Sequence, residues 1–178
     1  MTASDEVMAE AMAFLHMARN YQKAASRLLD SVASEKVGAQ YPLSDPIYFL
    51  CAHTVELAFK AFLLFHGEVI PTSGRDGHNL RALHARCAAL GLALGPDDPN
   101  GLQTIVELLS SENDHHGFRY FNDKGGTIPE LPWTCDVVNR LIQAIRAVFG
   151  ADPRVATGRP WKLKLQVLLG KQKKKEEG

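Results

Sequence analysis

Ser44-Asp-Pro-Ile-Tyr-Phe-Leu-Cys-Ala-His-Thr-Val-Glu-Leu-Ala-Phe-Lys-Ala-Phe-Leu-Leu-Phe-His-Gly67 reads as one helix written between a start and a stop. Ser44 offers a capping hydroxyl and Pro46 the fixed φ of a first helical position, which launches the helix from Ile47 through His66. Gly67 then ends it. Almost every residue between these signals is apolar, so the helix has no wide polar face to give to water. Pro46 to His66 is about as long as a membrane span, yet His53, Glu56 and Lys60 interrupt it, and each would cost a few kcal/mol in lipid. The reading is a buried helix at the centre of a soluble protein, with no membrane partner.

A helix that is apolar all round needs neighbours, and the rest of the chain supplies them. Upstream, Met8, Met12, Leu15, Ala18, Ala25, Leu28 and Val32 recur mostly three, four or seven apart, as a single core-facing stripe requires. Ser4 is a candidate cap, Asp5 and Glu6 suit the positive first turn, and Gly38 suits the end, which predicts a helix over 5–37. Downstream, a shorter helix is expected from Asn79 to Leu90, stopped by Gly91. Asp98-Pro-Asn100 starts a fourth, carrying Leu102, Ile105, Val106, Leu108 and Leu109 before polar residues interrupt at Glu112-Asn-Asp114. A fifth runs from Leu131-Pro132 to Gly150 with Val137, Val138, Leu141, Ile142, Ile145 and Val148 as its apolar face. Five helices and no convincing core strand predict an all-α fold, an antiparallel bundle of about five helices over residues 5–150.

Composition agrees with one globular domain. The 178 residues are 46% hydrophobic and 22% charged, which excludes a disordered or fibrous chain. The formal net charge of zero hides an asymmetry: residues 159–178 carry seven Lys and Arg against two Glu, so the remainder is net acidic by five. Residues 151–178 therefore read as a basic C-terminal extension, and an acidic body argues against a nucleic-acid clamp spread over the whole fold. Within the extension, Trp161 to Val167 alternates apolar with Lys or Gln and fits either an edge strand or a short helix outside the bundle. The three cysteines, Cys51, Cys87 and Cys135, lie far apart without CxxC spacing. They fit a reducing cytoplasmic setting, as does a first segment lacking the apolar run of a signal peptide.

Chemistry concentrates in two places. On the central helix His53, Glu56 and Lys60 fall at i, i+3 and i+7, on one face, and Glu56 precedes Lys60 by four, the favourable order for an ion pair. Such a seam in an apolar helix either holds a neighbouring loop or receives a ligand. Its expected partners are His78 and Asn79 in Gly77-His-Asn-Leu80, and Arg119 with Tyr120 in the 114–130 loop, which is too long for a mere connector and rich in aromatic residues. Glu112, Asp114, His115 and His116 crowd one helix end, but no metal-ligand spacing is present, and neither a metal nor a cofactor is expected.

The central helix pattern Glu-Leu-x-x-Lys at 56–60, followed by Gly77-His-Asn-Leu80 and Phe118-Arg-Tyr120, resembles HEPN-domain proteins, a nucleotide-binding class of higher eukaryotes and prokaryotes. The resemblance covers residues 8–149. It implies an antiparallel helical bundle that pairs into homodimers, occurs in toxin–antitoxin and phage-defence proteins, and acts on RNA. Many members are metal-independent ribonucleases with an Arg-x(4–6)-His motif, and no histidine of this chain has an arginine at that distance upstream. Two readings follow. In the first, the chain is an HEPN-like module that binds RNA, a nucleotide or a cognate partner protein through His53, Glu56, Lys60, His78, Asn79, Arg119 and Tyr120. In the second, it is a ribonuclease with a displaced site, His116 or His78 moving the proton and Arg119 stabilising the phosphorus oxygens. The many phenylalanines of the central helix, Phe49, Phe59, Phe62 and Phe65, either pack inside a surrounding bundle or leave a face for a second copy.

Overall fold

The N-terminal stripe becomes α1, Ala3–Val32, in a computed structural model that describes residues 3–35, 42–70, 75–96, 100–114 and 129–152. Asp5 and Glu6 stand in its first turn, where the helix dipole favours carboxylates. The helix begins one residue before Ser4, so Ser4 lies inside it and is not its cap. It ends at Val32 in a short 3-10 turn, Ala33–Glu35, ahead of the expected stop at Gly38. Met8, Ala11, Leu15, Ala18, Ala25 and Val32 are buried along one face, and the alanines, spaced by seven, let a neighbouring helix approach closely.

That neighbour is α2, Ser44–Phe65, against which α1 makes its most extensive contact. Its start differs from the expectation. Leu43, not Ser44, occupies the cap position, in left-handed backbone at φ 60°, and its carbonyl accepts the first helical hydrogen bond from Ile47 N–H at 3.1 Å. Pro46 falls in the opening turn, where its missing N–H would have had no partner within the helix. The end matches the expectation: Gly67, at φ 81°, lets its own N–H reach Leu64 O and the Glu68 N–H reach Leu63 O. This paired closure needs a left-handed residue that glycine adopts without penalty. Gly91, at φ 87°, closes α3, Leu80–Ala89, in the same way on Ala88 O and Cys87 O.

The last two helices are α4, Gly101–Asp114, and α5, Leu131–Ala151. The Asn100 carbonyl takes the first bond of α4 from Thr104 N–H, and the helix continues through the polar Glu112-Asn-Asp114 stretch. On α5 the buried stripe ends on Phe149 and not on Val148, which is 36% exposed. Phe149 extends the i, i+4 step from Ile145 and lays its ring on Phe65, with centroids 4.2 Å apart.

Every residue of α2 from Thr54 to Leu64 is buried, three turns with no solvent face. Helix α2 touches α1, α3, α4 and α5, so it is the surrounded axis of the bundle. Phe59 and Phe62 are enclosed within the chain itself, each side chain contributing about 1.5–3 kcal/mol by leaving water. Phe49 and Phe65, towards the two ends of the helix, are half-buried. By length and composition α2 is the one helix among the described residues able to cross a membrane, and most of that stretch is covered by the rest of the fold. No strand occurs among the described residues, which form an all-α bundle of five α-helices. The basic extension is expected from residue 151, but Ala151 is the last residue of α5; from 153 onward the extension, Trp161 to Val167 within it, and the 115–128 part of the long loop lie outside the described residues.

Candidate functional site

Burying an entire helix surface forces its polar residues inside, and each must find a partner there. Two of the buried hydroxyls do so one turn back along the chain: Thr54 donates to Leu50 O at 2.7 Å and Thr134 to the O of Glu130, the cap residue of α5, at 2.8 Å. Ser110 Oγ on α4 is buried without a hydrogen-bond partner among the described residues. The charged pair Glu56 and Lys60, each 5% exposed, requires a different solution. One helical turn separates them, and Lys60 Nζ donates to Glu56 Oε1 at 2.7 Å.

The second partner of Glu56 comes from another element. A short 3-10 turn, Arg75–His78, leads into α3 and sets His78 Nδ1 3.2 Å from Oε1 and 3.1 Å from Oε2 of the same carboxylate. A carboxylate in an ion pair only accepts, so the imidazole donates through Nδ1–H and Nε2 is left as its other ring nitrogen. Depth changes sharply across this trio. The Lys60 and Glu56 side chains are 6% and 7% exposed, whereas that of His78 is 60% exposed. An ion pair under the surface thereby holds an imidazole that faces water.

Each residue of Gly77-His-Asn-Leu80 has a local task. Gly77 is buried beneath the turn, and Leu80 is a fully buried plug at the start of α3. Asn79 is the cap of α3, its Oδ1 accepting from Ala82 N–H at 3.0 Å, so this carbonyl is committed to the helix. His78 alone turns outward, onto Glu56. The motif works as a clip that fixes the start of α3 on the central helix and holds there an imidazole that is largely exposed.

Of the residues expected to form the site, the structure brings together Glu56, Lys60 and His78. Asn79 adjoins them as a cap. His53 stands against α1, its ring edge-on to Tyr21 at 4.6 Å and parallel to Phe49 at 6.1 Å. His116, Arg119 and Tyr120, with His115, lie outside the described residues. Among the described residues no three His, Cys, Asp or Glu side chains gather as a metal-binding group.

Sequence reasoning missed a second meeting of reactive side chains. Cys51 on α2 and Cys135 on α5 place their sulfurs 3.8 Å apart in the core, 84 positions distant along the chain. The only signal for it was that each sits in the apolar stripe of its helix. One turn earlier on α2, the Tyr48 hydroxyl donates to the Pro129 carbonyl just before α5 begins, and burial, followed by the nearby Cys51, Cys135, Glu130 and Asp45, pushes that phenol up to about 12.

Compared with protein-family models, curated proteins and solved structures, the chain finds no match.

Proposed function

We propose that the chain is an HEPN-like helical module that binds RNA through its phosphate groups at the exposed face of His78, in the toxin–antitoxin or phage-defence setting that the sequence resemblance implies. The observation that supports this reading is the water-facing imidazole seated on a buried carboxylate. Glu56 and Lys60 cancel one another, so a protonated His78 leaves the trio with one net positive charge and an oriented Nε2–H. That group suits an anionic phosphate oxygen, the donor being charged and already fixed in direction. Arg119 and Tyr120 are the proposed companions, a guanidinium for a second oxygen and a ring for a base.

The partner proposed for the whole chain is a second copy of itself, acting in the cytoplasm. Nucleotide or cognate-protein binding are the other forms of the same module. A ribonuclease is the second reading, and the Nδ1 contact with Glu56 favours it. A carboxylate on Nδ1 fixes the orientation of the ring and leaves Nε2 as the nitrogen to take a proton from a 2′-hydroxyl.

The test is fluorescence anisotropy of the full chain with a labelled mixed-sequence RNA, beside cleavage assays with and without chelator. The expected result is salt-sensitive binding that weakens about tenfold in His78→Ala, the loss of one charge-assisted hydrogen bond, with no cleavage. Equal affinity of wild type and His78→Ala would remove His78 from the reading. Chelator-resistant cleavage lost in His78→Ala or Arg119→Ala would replace the binding module by the enzyme.

A further inference from the structure

Cys51 is fully buried, Cys135 is 8% exposed, and their sulfurs lie 3.8 Å apart between the central helix and the first turns of α5. The helices are held at this level independently of the sulfurs, because Tyr48, one turn before Cys51, is bonded to Pro129 at the entry to α5. The two thiols are therefore kept face to face by packing, and a disulfide requires their sulfurs to close from 3.8 Å to about 2.05 Å. Cys87, the remaining free thiol, is engaged elsewhere: it donates to Phe59 O at 3.7 Å.

We propose that Cys51 and Cys135 form a reversible redox site, oxidised by a peroxide to an intramolecular disulfide that ties α5 to the central helix. Cys135, the more accessible, is the attacking thiol. Its sulfur displaces hydroxide from hydrogen peroxide and becomes a sulfenic acid; the hydroxide takes the thiol proton and leaves as water. Cys51 sulfur then attacks the Cys135 sulfur, the sulfenic oxygen leaves as a second water with the Cys51 proton, and the S–S bond closes. Two thiols and one peroxide give one disulfide and two waters. A low-molecular-weight thiol reverses the change through thiol–disulfide exchange.

The electrostatics assign the same order. The hydrogen bond between the sulfurs raises the Cys51 thiol well above its ordinary value, with burial acting in the same direction, and lowers that of Cys135 against the opposing effect of burial. The thiolate is the nucleophile, so Cys135 reacts first and Cys51 resolves. Burial alone pushes the Cys87 thiol up to about 12, with Arg86 only partly opposing, which makes it the inert internal reference.

The experiment treats the native full chain with hydrogen peroxide, denatures it under acid, and maps its thiols by alkylation and mass spectrometry. The expected product is a monomeric chain lighter by about two mass units, with Cys51 and Cys135 in one linked peptide pair and Cys87 still alkylated. It melts at a higher temperature than the reduced chain, and dithiothreitol restores all three thiols. In Cys51→Ala, a sulfenic-acid probe should label Cys135. Persistence of all three thiols under peroxide that oxidises a reference dithiol peptide would overturn the proposal. So would consumption of Cys87 at the same rate, or a chain heavier by one or more oxygens without the linked pair. The wild-type map decides the matter even if the alanine variant does not fold.

Discussion

Lys60 Nζ sits 2.7 Å from Glu56 Oε1 with both side chains more than nine-tenths withdrawn from water, so two opposite charges share the interior of the central helix. Each charge is tolerable only because the other is there. Coulomb attraction in a medium of low polarity offsets a desolvation cost of several kcal/mol per ion, and His78 supplies the further bond that the carboxylate needs.

Removing one partner should therefore be far worse than removing both. Lys60→Met leaves Glu56 buried against His78 alone and is expected to lower stability by about 3–5 kcal/mol in urea denaturation. Glu56→Leu with Lys60→Met replaces the pair by apolar groups of similar volume and should recover most of that loss, while releasing His78. A single substitution costing under about 1 kcal/mol would show that water reaches the pair.

Acid should act through His84. Its ring lies 5.7 Å from Phe59, and burial lowers its pKa from the ordinary 6.5, with Glu107 opposing. The folded chain thus binds this proton less readily than the unfolded chain. The stabilising contribution is complete above about pH 6.5 and is lost as pH falls from there through the lower, folded value. In His84→Gln the melting temperature should fall less steeply between pH 7 and pH 5 than in wild type; parallel curves would remove His84 as the cause.

Two caps make predictions of opposite sign. Leu43 holds φ 60° without the freedom of glycine and is 49% exposed, so little packing is at stake. Leu43→Gly should raise stability by about 1 kcal/mol, the relief of left-handed strain less the greater entropy of the unfolded chain. Gly67 holds φ 81° with open space around a would-be Cβ. Gly67→Ala should lower stability by about 1 kcal/mol for backbone reasons alone. Thermal melts of both variants are sufficient; a loss in Leu43→Gly would mean that the leucine side chain contributes more by packing than its backbone costs.

Helix positions were legible because the forces behind them are local. A stripe at 3.6 residues per turn, a proline in an opening turn and a glycine at a stop act within a few residues of themselves, which is why Gly67 and Gly91 end their helices as read. Where two local signals compete, as with Leu43 and Ser44, the order of nearby residues did not rank them. The Glu56–Lys60 pair was likewise legible, since four residues of helix bring two long side chains together whatever surrounds them.

By itself, then, the sequence determined five helices, the glycine stops of the second and third, and the ion pair on the second of them. The tertiary structure decided what those helices face. His78 reaches Glu56 across 22 positions and Cys135 reaches Cys51 across 84, and no rule of spacing encodes either meeting. Packing also divided residues that one helical face had grouped: His53 went to Tyr21 on α1, while Glu56 went to His78 in the turn before α3. The reason is physical. An α-helix fixes neighbours through its own hydrogen bonds, whereas the choice of which side meets which helix comes from burying all the apolar surface of the chain at once.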